Sequence, residues 1–285
     1  MKHSRVKRIF GGLGLVLATL ILGYLLIRPF HLRWGASDAD VLRPMPGDLS
    51  GSRWTRAILI DASPEQVWRW LVQFGQGRGG WYSYDWLENL LGFDIHTAEA
   101  ILPELQNPQV GTRICMAASF CPSAVHVIEP YQWFGWQATD EATNQPVWTF
   151  VFGLFPEGEN RTRLVVRESF NPAFMPLAAV VALEIPDVVM GLKMLDTVKA
   201  RAENRPISWM VMTFEIVLWF AALVIGAVAG VLFVKRSNGL PCLAVSLAAV
   251  IVLLLITFLF PPLWLRGLLD LGLLAGLIWC SRRAA

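Results

Sequence analysis

The chain has 285 residues, 55% of them apolar, with 24 Lys plus Arg against 22 Asp plus Glu and a formal net charge of +2. Two soluble domains would fit that length, but so apolar a composition belongs to a membrane class. The near-neutral total hides two opposed parts: residues 28–208 hold 15 basic and 20 acidic side chains and the remainder 9 and 2, which excludes a basic nucleic-acid surface on the middle of the chain.

In chain order, a head with Lys2, Arg5, Lys7 and Arg8 precedes an apolar run over 9–27, close to the ~20 residues that cross a bilayer. The run ends in Arg28-Pro29 without a small-x-small cleavage pattern, so it predicts a retained anchor rather than a removed signal peptide. Alternation over 54–60 predicts a strand, with Thr55, Ala57 and Leu59 on one face and Trp54, Arg56, Ile58 and Ile60 on the other. Ser63, Pro64 and Glu65 open a helix that Gly75 stops. A second short helix is predicted over 84–91, with Asp85 as its cap and Glu88 as the capping-box partner. Strands follow at 112–116, 124–128, 133–139, 147–155 and 161–170, spaced closely enough for an antiparallel meander. The apolar stretch 173–183 is too short to span a membrane. Pro186 then opens a helix over 187–203, with Val188, Gly191, Leu192, Leu195 and Val198 on one face.

Three further apolar runs occupy 210–234, 240–260 and 263–280. Lys235-Arg236 and Arg282-Arg283 abut run ends, so the positive-inside rule puts every basic cluster on the cytoplasmic face. The expected protein is multi-pass in the cytoplasmic membrane with both termini cytoplasmic: a head and anchor (1–28), an extracytoplasmic domain (29–208) and a three-helix membrane domain (209–285). Cys115 and Cys121, flanking a turn in the outer domain, are disulfide candidates or two buried thiols; Cys242 and Cys280 fall on the reducing side. Glu215, Arg266 and Asp270 come at similar depth in the second and fourth runs and form a candidate intramembrane charge group, because isolated charges there are costly; snorkelling to the interface is the other option. Gly226-x-x-x-Gly230 and Gly272-x-x-x-Gly276 permit close helix contact and leave a homo-oligomer open.

The order strand, two short helices, five antiparallel strands and a long final helix is that of the helix-grip fold, an α+β arrangement in which a curved sheet wraps the last helix. The stretches Trp34-Gly-Ala, Pro46-Gly-Asp48, Ile60-Asp-Ala-Ser-Pro-Glu-Gln-Val-Trp68, Gly79-Gly-Trp-Tyr-Ser-Tyr-Asp-Trp-Leu-Glu88, Val110-Gly-Thr112 and Lys199-Ala-Arg-Ala-Glu203 resemble the SRPBCC superfamily, which includes START, Bet v 1-like and polyketide-cyclase-like domains. More narrowly, they resemble its bacterial membrane-attached members. The resemblance covers about residues 33–205. It implies a hydrophobic cavity between sheet and final helix that accepts an apolar small molecule, sometimes with catalysis.

Trp81, Tyr82, Tyr84 and Trp86 follow Gly79-Gly80, and in a grip fold this connection sits near the cavity entrance, where such rings contact a ligand or else pack the core. Trp136, Trp148, Phe150 and Phe152 on strands, with Met190 and Met194 on the final helix, are further wall candidates. Asp85, Glu88, Asp94 and His96, with Glu99, form a dense titratable group that would serve a cyclase or lyase. One His and scattered acids do not make a metal site, and no nucleotide or nucleophile motif occurs. The expected function is cofactor-free binding of a hydrophobic or lipid-like molecule, with the bilayer as the other partner. Cyclase or lyase chemistry, and an envelope protein–protein interaction module, are the alternatives.

Overall fold

A computed structural model describes residues 2–283. In chain order the elements are α1 (Lys2–His31), α2 (Asp38–Leu42), β1 (Arg53–Ile60), α3 (Pro64–Leu71), α4 (Asp85–Leu90), a single 3-10 turn (Pro103–Leu105), β2 (Arg113–Ile114), β3 (Ser123–Glu129), β4 (Trp133–Thr139), β5 (Pro146–Pro156), β6 (Thr162–Phe170), α5 (Leu177–Ala202), α6 (Trp209–Lys235), α7 (Leu240–Phe258) and α8 (Leu263–Arg283). They divide into two compact units: Leu32–Ile207, and the residues up to His31 together with those from Ser208 onward.

The first of these is an α+β unit. Its curved antiparallel sheet runs β1-β6-β5-β4-β3-β2. β1 alternates as its sequence predicts: Ile58 and Ile60 join the inner core, whereas Ala57 packs on the outer face with Met45, Trp133, Val151 and Val165. A bulge between Val125 and Val127 lets Val125 and Ile128 both reach the inner side. α3 starts at a capping box in which Ser63 and Gln66 exchange side-chain-to-backbone bonds behind Pro64. Met194, Leu195, Val198 and Ala202 of α5 pack into the same core as Phe134, Trp136, Phe152, Leu164 and Val166, which is the grip. Burying Leu195 and Val198 completely contributes about 1.5–3 kcal/mol each.

α5 starts ten residues earlier than Pro186 suggests. Proline removes one helical hydrogen bond and donor, but Val180 is anchored against Trp54 and Phe170, so the apolar lead-in continues into the same helix.

The outer face of the sheet is covered by the chain over 32–50. Leu32 and Trp34 accept backbone bonds from Thr55 and Ala57 along the edge of β1. Gly35 has a φ of +67°, and a Cβ there would collide with the Ala57 carbonyl oxygen, which explains Trp34-Gly-Ala. Arg163 donates from Nε to both carboxylate oxygens of Asp40 at 3.0 Å. Arg167, fully buried, donates to Asp48 at 3.0 and 3.1 Å and to the carbonyls of Asp40, Val41 and Arg43.

In the other unit, α1, α6, α7 and α8 are each long and apolar enough to cross a membrane. Arg8 donates to the carbonyls of Arg236 (2.5 Å) and Ser237 (2.7 Å), and Arg236 to that of Ser281 (2.9 Å), so the basic head, the α6–α7 connection and the end of α8 gather at one end. The glycine motifs do not meet each other. A Cβ on Gly226 would lie 2.8 Å from Ala249 Cβ and one on Gly276 3.2 Å from Val245, so both approach α7.

Two expectations are corrected here. Glu215, Arg266 and Asp270 are all buried, but the group is not closed at Asp270, whose carboxylate oxygens have no hydrogen-bond partner. Arg266 is instead satisfied by the Pro261 carbonyl at 2.8 Å, freed where α8 begins, and lies 4.5 Å from the Phe260 ring centroid. Cys242 and Cys280, expected as separate thiols, are paired: the start of α7 and the end of α8 lie side by side, with Cα atoms 5.3 Å apart.

Candidate functional site

The connection after α3 turns back through Gly79-Gly80. Gly80 has a φ of +77°, and a Cβ there would stand 2.7 Å from Thr97 Cα, closer than any side chain allows. The turn drives Tyr82 into the core, where its phenol oxygen accepts from Gln73 Nε2 at 2.6 Å. Burial pushes the phenol pKa up. Gln73 also donates to Ala100 and accepts from Leu102, tying this connection to the following loop.

Around Tyr82 the inner face is a stack of rings. Phe74 lies 4.9 Å from Tyr82 and 5.3 Å from Phe152. Trp136 stacks on Phe150 at 4.7 Å and 6°. Half-buried Trp81 closes the stack, 5.7 Å from Trp136 and 6.0 Å from Phe74. Such pairs add about 0.5–1.5 kcal/mol each beyond area burial. Trp136 Nε1 is buried here without a hydrogen-bond partner.

At the β1–β6 end the same face turns polar. Arg56 of β1 donates to Asp187 of α5 at 2.5 Å, and its other terminal nitrogen lies 3.9 Å from Glu168 of β6. Trp148 donates to Glu168 at 2.9 Å. α5 passes so close that a Cβ on Gly191 would lie 2.9 Å from the guanidinium. Burial, then the adjoining Asp187 carboxylate, hold the Glu168 carboxyl well above the ordinary range against the opposing pull of Arg56. Burial alone would lower the Arg56 pKa, but Asp187 and Glu168 outweigh it and raise it. The cluster therefore pairs a permanent cation with Asp187 and with a Glu168 carboxyl that keeps its proton unusually long, and the buried Glu184 of α5 adds to the field on Arg56.

The other sequence candidates separate. Trp148, Phe150 and Phe152 lie on the inner face, and Met194 is buried against it. Met190 Sδ is 3.7 Å from Ser83 Oγ. Tyr84 is buried, with Lys193 Nζ 5.7 Å from its ring centroid. Trp86 does not line the interior: α4 is short, turns Glu88 inward, and leaves Trp86 43% exposed. Asp85 does not cap α4; it accepts from Thr97 N–H at 2.7 Å and Thr97 Oγ1 at 2.6 Å, fastening the loop. Glu88 is no capping partner either, since it is buried with neither oxygen hydrogen-bonded, and burial together with nearby Asp85 pushes its pKa up to about 8. Asp94 and His96 pair at 3.1 Å with side chains 65% and 81% exposed, so they are a surface contact. The Asp–Glu–His device of the enzyme alternative is thus not assembled. Cys115 and Cys121 are joined by a disulfide across the turn.

Arg56, Glu168 and Asp187 were not predicted as a group. One signal was present: Arg56 is the charged member of a strand face otherwise made of Trp54, Ile58 and Ile60.

No family model matches the chain, and no curated protein matches it. Among solved structures it is similar to a Polyketide_cyc-like protein of Corynebacterium glutamicum (19% identity, 54% of this chain and 91% of that one, TM-score 0.33). It is also similar to a truncated norcoclaurine synthase of Thalictrum flavum (11%, 57% and 100%, TM-score 0.31) and to a Mesorhizobium loti protein (17%, 54% and 99%, TM-score 0.31).

Proposed function

We propose that residues 32–207 bind an amphipathic, lipid-like small molecule, and that the four apolar helices hold this module at the outer face of the cytoplasmic membrane with both termini inside. The observation that carries the reading is a buried cation with two carboxyl groups set at the end of an aromatic inner face, which offers one end of a ligand rings and the other a charge-assisted partner. Trp81, the outermost ring, is the side chain a ligand would displace, and Trp136 Nε1 is a donor left for it. Exposed Trp86 and Leu90 on α4, Leu91 just beyond it, and Leu177, Leu183 and Ile185 on α5 suit contact with a lipid surface. The gathering of Arg8, Arg236 and the end of α8 supports one cytoplasmic end.

Full-length protein extracted in mild detergent and washed should release a stoichiometric apolar compound on organic extraction, identified by mass spectrometry. Trp81→Ala should lower that yield. An extract matching a detergent-only control would overturn the reading.

A second reading, proton transfer of the cyclase or lyase kind, is favoured by Glu168: a carboxyl with a raised pKa beside a carboxylate is a general acid next to its base. Turnover abolished by Glu168→Gln with ligand retention intact would select it over binding alone.

A further inference from the structure

The membrane unit contains two lateral hollows that the proposed ligand site does not use. The larger, about 580 Å³, lies between α1 and α6 over α7 and is floored by Gly12, Gly226, Ala227, Gly230 and Ala249. The second, about 540 Å³, adjoins the start of α1, has Lys7 and Arg8 on its wall, and shares Phe233 and Leu243 with the first. Both fall within the ~300–1,000 Å³ usual for small-molecule sites. The opening has a packing cause. α1 touches α6 where Gly12 meets the Phe233 ring and touches α7 where Gly23 meets Leu254, and the small residues along α6 leave a cleft between those contacts.

Length and charge narrow the occupant. The cleft follows α6 from Leu223 to Lys235, roughly 18 Å at ~1.5 Å per residue, about one leaflet of a ~30 Å hydrocarbon core. Lys235 stands at the end of the cleft, and Lys7 and Arg8 line the adjoining hollow. Arg8 spends its donors on backbone carbonyls, and the acidic residues of this unit, Glu215 and Asp270, lie far along their helices from that end. Among the described residues, no acidic side chain lies at that cationic mouth.

We infer that this cleft is a lateral site for an anionic phospholipid, with one acyl chain between α1 and α6 and the phosphate against Lys7, Arg8 and Lys235. The inference rests on the membrane reading above. Electrostatic attraction near a bilayer surface is about 1 kcal/mol per basic residue, and the apolar cleft supplies chain burial that a charged surface alone lacks.

The test uses full-length protein in mild detergent, exchanged into phosphatidylglycerol or phosphatidylcholine of identical chains and examined by native mass spectrometry. Phosphatidylglycerol should be retained and phosphatidylcholine lost. Lys7→Gln with Lys235→Gln should lower phosphatidylglycerol retention roughly thirtyfold. Ala227→Leu, which fills the cleft, should abolish retention without changing circular dichroism; Val231→Trp is the second filling variant should that protein fail to fold. Equal retention of the two lipids, or full retention in both filling variants, would overturn the inference. Carbonate extraction separates the two ideas: release of the chain into the supernatant sinks the membrane reading itself, whereas a membrane-retained chain that keeps no phosphatidylglycerol sinks only this one.

Discussion

Glu88 shows how one misplaced charge governs pH response. Its carboxyl is buried, has no hydrogen-bond partner, and titrates at about 8 instead of the ordinary 4.5. Below pH 4.5 the folded and unfolded chains both carry its proton. As pH rises, the unfolded chain ionises and is hydrated while the folded one stays protonated, so stability is full below 4.5 and is progressively lost up to about 8. The loss is on the order of 5 kcal/mol at most. Glu88→Gln should therefore match the parent near pH 4.5 and melt higher at pH 8, as followed by tryptophan fluorescence. Equal melting of both proteins at pH 8 would show that the carboxyl is not held in this state. Arg56 sits at the opposite extreme, because Asp187 and Glu168 compensate its burial. Removing one partner of such a buried set leaves the others unpaired. Neither outcome is local: Glu88 belongs to a run of titratable residues yet is buried without a hydrogen-bond partner, whereas Arg56 is the one charge on an otherwise apolar strand face. What separates them is partners contributed from positions 168 and 187, which no local pattern around residue 56 encodes.

At the scale of elements, local signals worked where the chain decides its own geometry. Ser63-Pro64 opens α3, and alternation sets the two faces of β1. They failed where tertiary contact decides. Pro186 sits inside α5 because Val180 is held by Trp54 and Phe170, and α4 has no side-chain cap because Asp85 is drawn to Thr97. The strap over 32–50 was visible only as two glycine-bearing strings, and its partners, Arg163 and Arg167, lie more than a hundred residues away. That strap makes its own prediction. Burial alone would raise the Asp40 pKa, but hydrogen bonds from Arg163 and Ser37 outweigh it and hold the carboxyl at about 2. Its contribution is thus present above an ordinary carboxyl's 3.8 and lost as pH falls toward 2. Asp40→Asn should cost about 2 kcal/mol at neutral pH, the scale of a charge-assisted hydrogen bond. It should also expose 32–50 to limited proteolysis. Unchanged cleavage in that segment would mean the outer face is held by Met45 packing and the backbone bonds alone.

For the whole molecule the issue is which compartment each cysteine pair meets. Four helices are long and apolar enough to span, and three basic segments meet at one end of their unit. If that end is cytoplasmic, the reducing pool opens the Cys242–Cys280 pair to two thiols, whereas the Cys115–Cys121 bridge across its turn stays oxidised outside. The paired cysteines therefore report orientation. Intact cells treated with a membrane-permeant alkylating agent before lysis, followed by denaturation and peptide mapping, should give label on Cys242 and Cys280 and none on Cys115 or Cys121. Label on all four would place the α+β unit in the reducing compartment and remove the outer-face ligand reading with it. Label on Cys115 and Cys121 alone would invert the membrane topology and move the cationic mouth of the α1–α6 cleft to the outer leaflet.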